Sequence, residues 1–273
     1  MIGDPPKSIV HPTDLSLSSQ DAFAHALRIA VATQGVLHLL HIENLEEEEP
    51  DGWERFPHVR ETLARWRMID PAASRAEVAE KLGVQFVKAA VEAGSPVHGV
   101  AAYVTRHLCD LMVLMTHNRT GLERWLDESV AEEAVRETHI PALLLREDQA
   151  GFVDRETGAV SLNTVLMPVE PNVAPLDAFR HIADFAHAIN PAADVMLLHV
   201  GERLPIFEGL LPHIELRHGP VVETILAYAA EIGADLIAMP TQGRGGLLDA
   251  LRGTTTERVL RESPCPVYAV PTR

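Results

Sequence analysis

At 273 residues the chain is at the upper end of one domain or makes two ordinary ones, and an apolar content of 47% is enough for a buried core. Its 39 acidic residues against 23 basic ones give a formal charge of -16. That balance argues against a general duplex-DNA or RNA binder and against docking on anionic lipid, while nucleotide binding through backbone N–H groups and helix ends stays open.

Cys109 and Cys265 stand far apart with no C-x-x-C spacing, which suits a reduced compartment and offers no zinc cage. The opening Met1 to Lys7 has no apolar leader core, and no stretch approaches the roughly 20 apolar residues of a membrane helix. The expectation is a soluble, cytoplasmic protein.

Taken in chain order, the sequence repeats itself. The run Ser8 to Asp14 (SIVHPTD) is matched by Thr164 to Glu170 (TVLMPVE). Val36 to Ile42 is matched by Val195 to Val200, Asp110 to Thr116 by Asp235 to Thr241, and Pro141 to Leu145 by Pro266 to Val270. Such short, nearly continuous apolar runs read as strands covered on both faces, so each half predicts a parallel sheet.

Helical spacing fills the gaps. Ser95 is placed to cap a helix that starts at Pro96 and buries Val97, Val100, Ala101, Val104 and Leu108. A second helix starts at Pro175, with Leu176, Phe179, Ile182, Ala183, Ala186 and Ile189 on one stripe; a third starts near Pro220, with Val221, Val222, Ile225, Leu226, Ala229 and Ile232. Strand–helix alternation means right-handed crossovers and a doubly wound α/β sheet.

The halves differ between their second and third strands. From Ile42 to Val84 the first half holds a long segment with the acidic run Glu46 to Glu49 and then Trp53, Phe56, Leu63 and Trp66, read as a solvated loop followed by local core. Between Val200 and His213 the second half has too few residues for a crossing helix. Its sheet therefore needs another cover: the first half's long segment or a partner subunit. The mixed polar stretch 148–160 reads as a linker between a unit at 1–147 and a unit at 161–273.

After its fourth strand the second half carries Met239-Pro240-Thr241-Gln242-Gly243-Arg244-Gly245-Gly246, and later Arg252-Gly253-Thr254-Thr255. A glycine turn leaving a parallel strand and feeding a helix start is an anion site, although it also reads as a plain turn with a threonine cap. Here the chain resembles the universal stress protein family, whose pattern is G-x-x-G-x(9)-G-[ST]. The spacing is matched from Pro240 through Gly243, then nine residues, to Gly253 and Thr254, with proline in place of the first glycine. The start Thr254 to Leu260 and the ending Ser263 to Val267 also look like the family, in tandem form across nearly the whole chain.

The resemblance implies five parallel strands per unit, with ATP or a related adenine nucleotide at their carboxyl ends. Carried over, the binding residues are Glu170, Val200, Gly243, Gly253 and Thr254, with Thr255 on the same helix end and Arg244 placed either on phosphate or in solvent. Glu170 replaces the family's aspartate, and Pro240 removes one N–H. The first half keeps Asp14 and Ser129, but Thr116, Arg119 and Glu128 stand where glycines would. A carboxylate ~4 Å from a phosphate charge costs roughly 4 kcal/mol at an effective dielectric of 20, so no ATP is expected there. The family's paired units also meet through their last strands, which implies a pseudo-twofold contact of 141–145 with 266–270 inside the chain; a homodimer stays open.

No Ser-His-Asp set and no G-K-[ST] appear, so neither a hydrolase triad nor a P-loop is expected. His38 and His41 point to opposite faces of a strand, His213 and His218 flank a strand end, and no designed metal site is expected among the 14 histidines. His41 and His199 hold equivalent places at the second strand's end. The function expected is a stress-response or signalling protein that binds a nucleotide in its second half rather than a catalyst. The rivals are a nucleotide-free interaction protein with an unidentified protein partner, and a slow ATPase or autophosphorylating enzyme.

Overall fold

The computed structural model describes residues 5–43, 56, 58–116, 138–147, 149, 151–170, 175–206, 212–242 and 255–272. The first half runs β1 (Ser8–Pro12), α1 (Gln20–Thr33), β2 (Val36–Glu43), α2 (Val59–Arg65), α3 (Arg75–Leu82), β3 (Gln85–Glu92), α4 (Pro96–His107), β4 (Leu111–Thr116) and β5 (Ala142–Arg146). The second runs β6 (Thr164–Pro168), α5 (Pro175–Ile189), β7 (Asp194–Val200), β8 (Ile214–Arg217), α6 (Val221–Glu231), β9 (Leu236–Gln242), α7 (Thr255–Glu262) and β10 (Val267–Thr272).

All ten strands form one sheet in the order β3-β2-β1-β4-β5-β10-β9-β6-β7-β8. Every neighbouring pair is parallel except β5 with β10, which run antiparallel through Val267↔Leu144, Tyr268↔Leu143 and Ala269↔Ala142. The two doubly wound units of five strands therefore join at their last strands, as the family resemblance leads one to expect. The central strands are buried on both faces, β4 along its whole length, which is why they read as unbroken apolar runs. One helix layer carries α1, α2 and α5, with Phe23, Phe56, Phe185 and Tyr268 in its core. The other carries α4, α6 and α7, with Val100, Tyr228, Val259 and Leu260.

Three local expectations are corrected. Ser95 holds the N-cap position and its backbone is extended, but its side chain makes no cap bond; Pro96 at the first helical position sets the start. Leu108 is 81% exposed rather than in the buried stripe, because it closes α4 in the left-handed conformation at φ 51°. In α5 the buried stripe turns toward Ala178, Ile182, Phe185, Ala186 and Ile189, leaving Leu176 and Phe179 only half-buried.

The described part of the first unit's long segment packs over its own unit, not over the second unit's sheet. Phe56, Leu63 and Trp66 are buried over their own unit, with Phe56 edge-on to Phe23 at 5.2 Å. Nine strand spacings separate the edge strands β3 and β8, roughly 40 Å at ~4.8 Å each. β8 stays half-buried along its length, with Ile214 and Leu216 uncovered by any crossing helix among the described residues. Trp53 and Glu46 to Glu49 lie outside the described residues.

What α2 covers is the connection between the units. Trp66 Nε1 and Arg65 donate to the Arg155 carbonyl at 2.9 and 3.1 Å. The turn closes with the Val153↔Val160 bridge and buries Phe152, Val153 and Leu162, a more ordered course than a polar linker suggests. His25 on α1 clamps it: Nδ1 donates to the Asp21 carbonyl (2.7 Å), and Nε2 accepts from the Val153 N–H (3.1 Å).

Candidate functional site

The carboxyl ends of β6, β7 and β9, neighbouring strands of the second unit, mark its candidate site. Open α/β sheets bind ligands there because adjacent crossovers diverge to opposite faces and leave a crevice. β6 ends at Pro168; Val169 is buried and Glu170 is exposed at the mouth. β7 ends at Val200, whose side chain is half-buried. Thr255, half-buried, opens α7, and Thr256 behind it is buried above Val259. So the structure brings Glu170, Val200 and Thr255 to one end of one sheet. Gly243, Arg244, Gly253 and Thr254 lie outside the described residues.

Threonines tie down the strand that feeds the loop. Thr241 Oγ1 donates to the Val270 carbonyl (3.4 Å), and Thr272 Oγ1 donates to the Thr241 carbonyl (2.9 Å). Pro240 lies inside β9, in register with Val270. The N–H of Ile237 donates to the Pro266 carbonyl toward β10 (3.0 Å), so backbone alternation turns residue 240 toward the β6 side, past the last β6 partner. The missing N–H of proline thus leaves the β10 ladder intact.

The matched place in the first unit has the same strand ends. Asp14 is exposed and its Oδ1 accepts from the Ser16 N–H at 3.0 Å, a local turn. Thr116 closes β4 with Oγ1 on the Leu145 carbonyl at 3.1 Å, as Thr241 does in β9. Arg119, Glu128 and Ser129 lie outside the described residues.

Two histidines make the same bond in both units. His41 Nδ1 donates to the Thr13 carbonyl at 2.8 Å, and His199 Nδ1 donates to the Val169 carbonyl at 3.0 Å. Sequence alone gave their equivalence but not this role, since a ring–carbonyl bond across strands has no spacing signature. Gly201 gives His199 room: a Cβ there would stand 2.8 Å from the ring Nε2. His38, on the other face of β2, is satisfied by Ser8 Oγ (3.3 Å) and Tyr103 (3.0 Å).

The two cysteines are buried and free of each other. Burial pushes the Cys109 thiol up to about 11 and the Cys265 thiol up to about 12, so neither is a thiolate nucleophile at neutral pH. Among the described residues no three His, Cys, Asp or Glu side chains cluster as metal ligands. No helix among them is long and apolar enough to cross a membrane. A 440 Å³ cleft lined by Arg75, Ala79, Val84 and Phe86 opens at the amino end of β3, away from the strand ends just described.

Comparison with known proteins agrees with this geometry. The sequence model of the universal stress protein family matches residues 6–146 and 204–271. A universal stress protein of Methanocaldococcus jannaschii is 28% identical over 144 residues, covering 51% of this chain and 82% of that protein. One of Synechocystis is 27% identical over 139 residues, covering 42% and 88%. Among solved structures, a universal stress protein from Archaeoglobus fulgidus overlays 98% of this chain and 97% of its own, with a TM-score of 0.65 at 19% identity. A putative universal stress protein from Pseudomonas aeruginosa overlays 97% and 92%, with a TM-score of 0.61 at 17% identity.

Proposed function

The chain belongs to the universal stress protein family, and from that premise we propose that its second unit, residues 161–273, binds an adenine nucleotide, ATP in the first instance, and works as a stress-response or signalling protein without catalysing a reaction. The observation that carries this reading is that Glu170 and Val200 follow or close the neighbouring strands β6 and β7 at their carboxyl ends, while Thr255 opens α7, the helix reached from the carboxyl end of β9. In this reading Glu170 stands by the ribose, and the Val200 backbone by the base. Gly243, Gly253, Thr254 and Thr255 hold the phosphates through N–H and hydroxyl donors at the start of α7, where the helix dipole favours negative charge. Arg244 supplies a countercharge.

The first unit, residues 1–147, takes no triphosphate in this reading, because Glu128 and Arg119 occupy its glycine places. One nucleotide per chain is the expected stoichiometry. The test is to denature the purified protein, identify released nucleotides by chromatography and mass, and titrate the emptied chain with ATP by calorimetry. About one adenine nucleotide per chain, with binding lost in Gly253→Glu, supports the reading. No bound nucleotide and no heat with ATP overturn it. That outcome favours the second reading, a nucleotide-free interaction protein. What speaks for it is that no crossing helix covers β8 among the described residues, where Ile214 and Leu216 stay half-buried, and that Ile206 is 96% and Leu204 46% exposed. Phosphate release under turnover, lost in Gly253→Glu, would instead make the chain a slow ATPase.

A further inference from the structure

We propose that His199, and His41 in the first unit, are positioning residues: each holds the carbonyl just past a unit's first strand, and so leaves the backbone of the residue that follows it free to pair with the edge of a purine base. In the second unit this deepens the nucleotide-binding reading and rests on it.

The argument is one of hydrogen-bond accounting at the strand ends. In a parallel ladder, the N–H and C=O of one residue point to the same neighbour, and successive residues alternate. The Val169 N–H donates to the Leu198 carbonyl at 2.8 Å, so Leu198 faces β6; the Gly201 N–H donates to the Arg217 carbonyl at 3.0 Å, so Gly201 faces β8. Alternation then turns Val200 toward β6, over its end and beside Glu170. The regular continuation would be a bond from the Val200 N–H to the Val169 carbonyl. No such backbone bond forms; the Val169 carbonyl takes the His199 ring instead. The first unit repeats the arrangement: the Thr13 N–H donates to the Leu40 carbonyl at 2.9 Å, the Thr13 carbonyl takes His41, and no backbone bond joins the Ile42 N–H to it.

A strand end that stops one bond early presents an N–H and a C=O side by side, which is the pattern an adenine edge complements with its ring nitrogen and amino group. Buried or half-buried backbone donors rarely go without a partner, so two copies of the same omission point to a partner supplied from outside. The imidazole does what a water cannot do reliably here: it occupies the competing carbonyl from a fixed direction and keeps the strand ends apart.

The experiment is amide hydrogen exchange at Val200 and Ile42 with adenosine calorimetry, on the full chain and on His199→Phe, His199→Asn and His41→Phe. In the wild type both amides exchange fast for strand residues, and adenosine protects Val200. In His199→Phe the freed carbonyl captures the Val200 N–H, so that one amide slows about tenfold while adenosine affinity falls about tenfold. His199→Asn, which keeps a donor at the same distance along the side chain, stays within about threefold of wild type. A change that merely destabilised the fold would speed exchange throughout, the opposite sign. Slow exchange at Val200 in the wild type, or no slowing in either phenylalanine variant, overturns the proposal. If the wild type binds no adenosine, the nucleotide reading fails on its own, and the exchange rates still decide the role of the histidines.

Discussion

His11 marks a chemical difference between the units, for Met167 holds the matched place. Its Nδ1 donates to the Val113 carbonyl at 2.9 Å, its ring lies stacked on Phe56 at 6.3 Å, and its Nε2 has no partner. Burial lowers it from 6.5 to about 4, against the pull of the Val113 carbonyl and of Asp14; burial lowers His25 to about 4 as well. Between pH 6.5 and 4 the unfolded chain takes up a proton at each ring that the folded chain refuses. Stability is therefore full above pH 6.5 and falls as pH drops through that window, by about 3 kcal/mol per histidine. His11→Met should remove about half of that acid loss. Urea midpoints compared at pH 4.5 and 7 check this; equal acid sensitivity in the variant would show the burden lies elsewhere.

At the scale of elements, the turn between the units depends on backbone without side chains. A Cβ on Gly151 would lie 2.1 Å from the His25 ring, and one on Gly158 would lie 2.4 Å from Trp66, at a φ of 70°. Gly151→Ala must push the turn off α1 and break the Val153–His25 bond, at a cost of about 2–3 kcal/mol in denaturant unfolding. An unchanged midpoint would mean that the clamp contributes nothing. The sequence made the central strands legible because both faces of each are buried, so runs such as Leu111 to Met115 carry no alternation to confuse. It marked β8 only by its place between His213 and His218, since its four half-buried residues Ile-Glu-Leu-Arg have neither a run nor a full period. It hid the order of the 151–162 turn, since Phe152, Val153 and Leu162 are few among polar residues and carry no strand or helix period, yet are buried in the core. For the candidate site, what the repeat and the family pattern made legible is the placing of Glu170 and Val200 just at the ends of β6 and β7 and of Thr255 at the start of α7. The bonds of His41 and His199 were not, because they cross strands about thirty residues apart.

For the whole molecule, the units meet through the β5–β10 ladder and the contact of α1 with α5, besides the peptide that connects them. Tyr268 is buried at this seam, its hydroxyl 2.8 Å from His181 Nε2 and its ring stacked on Phe185 at 4.3 Å. Proteolytic nicking in the exposed 154–157 turn should leave the two pieces running as one particle in size-exclusion chromatography. Separation of the pieces under native conditions would show that the covalent link, not the seam, unites the halves.

That one antiparallel ladder also sets the directions in which the molecule can be read. Because β5 and β10 run opposite ways, the strand ends bearing Asp14 and those bearing Glu170 open on opposite rims of the slab. A protein seated on one rim meets the carboxyl strand ends of one unit and none of the other's. The chain thus has two addresses facing away from each other, with the β5–β10 seam between them.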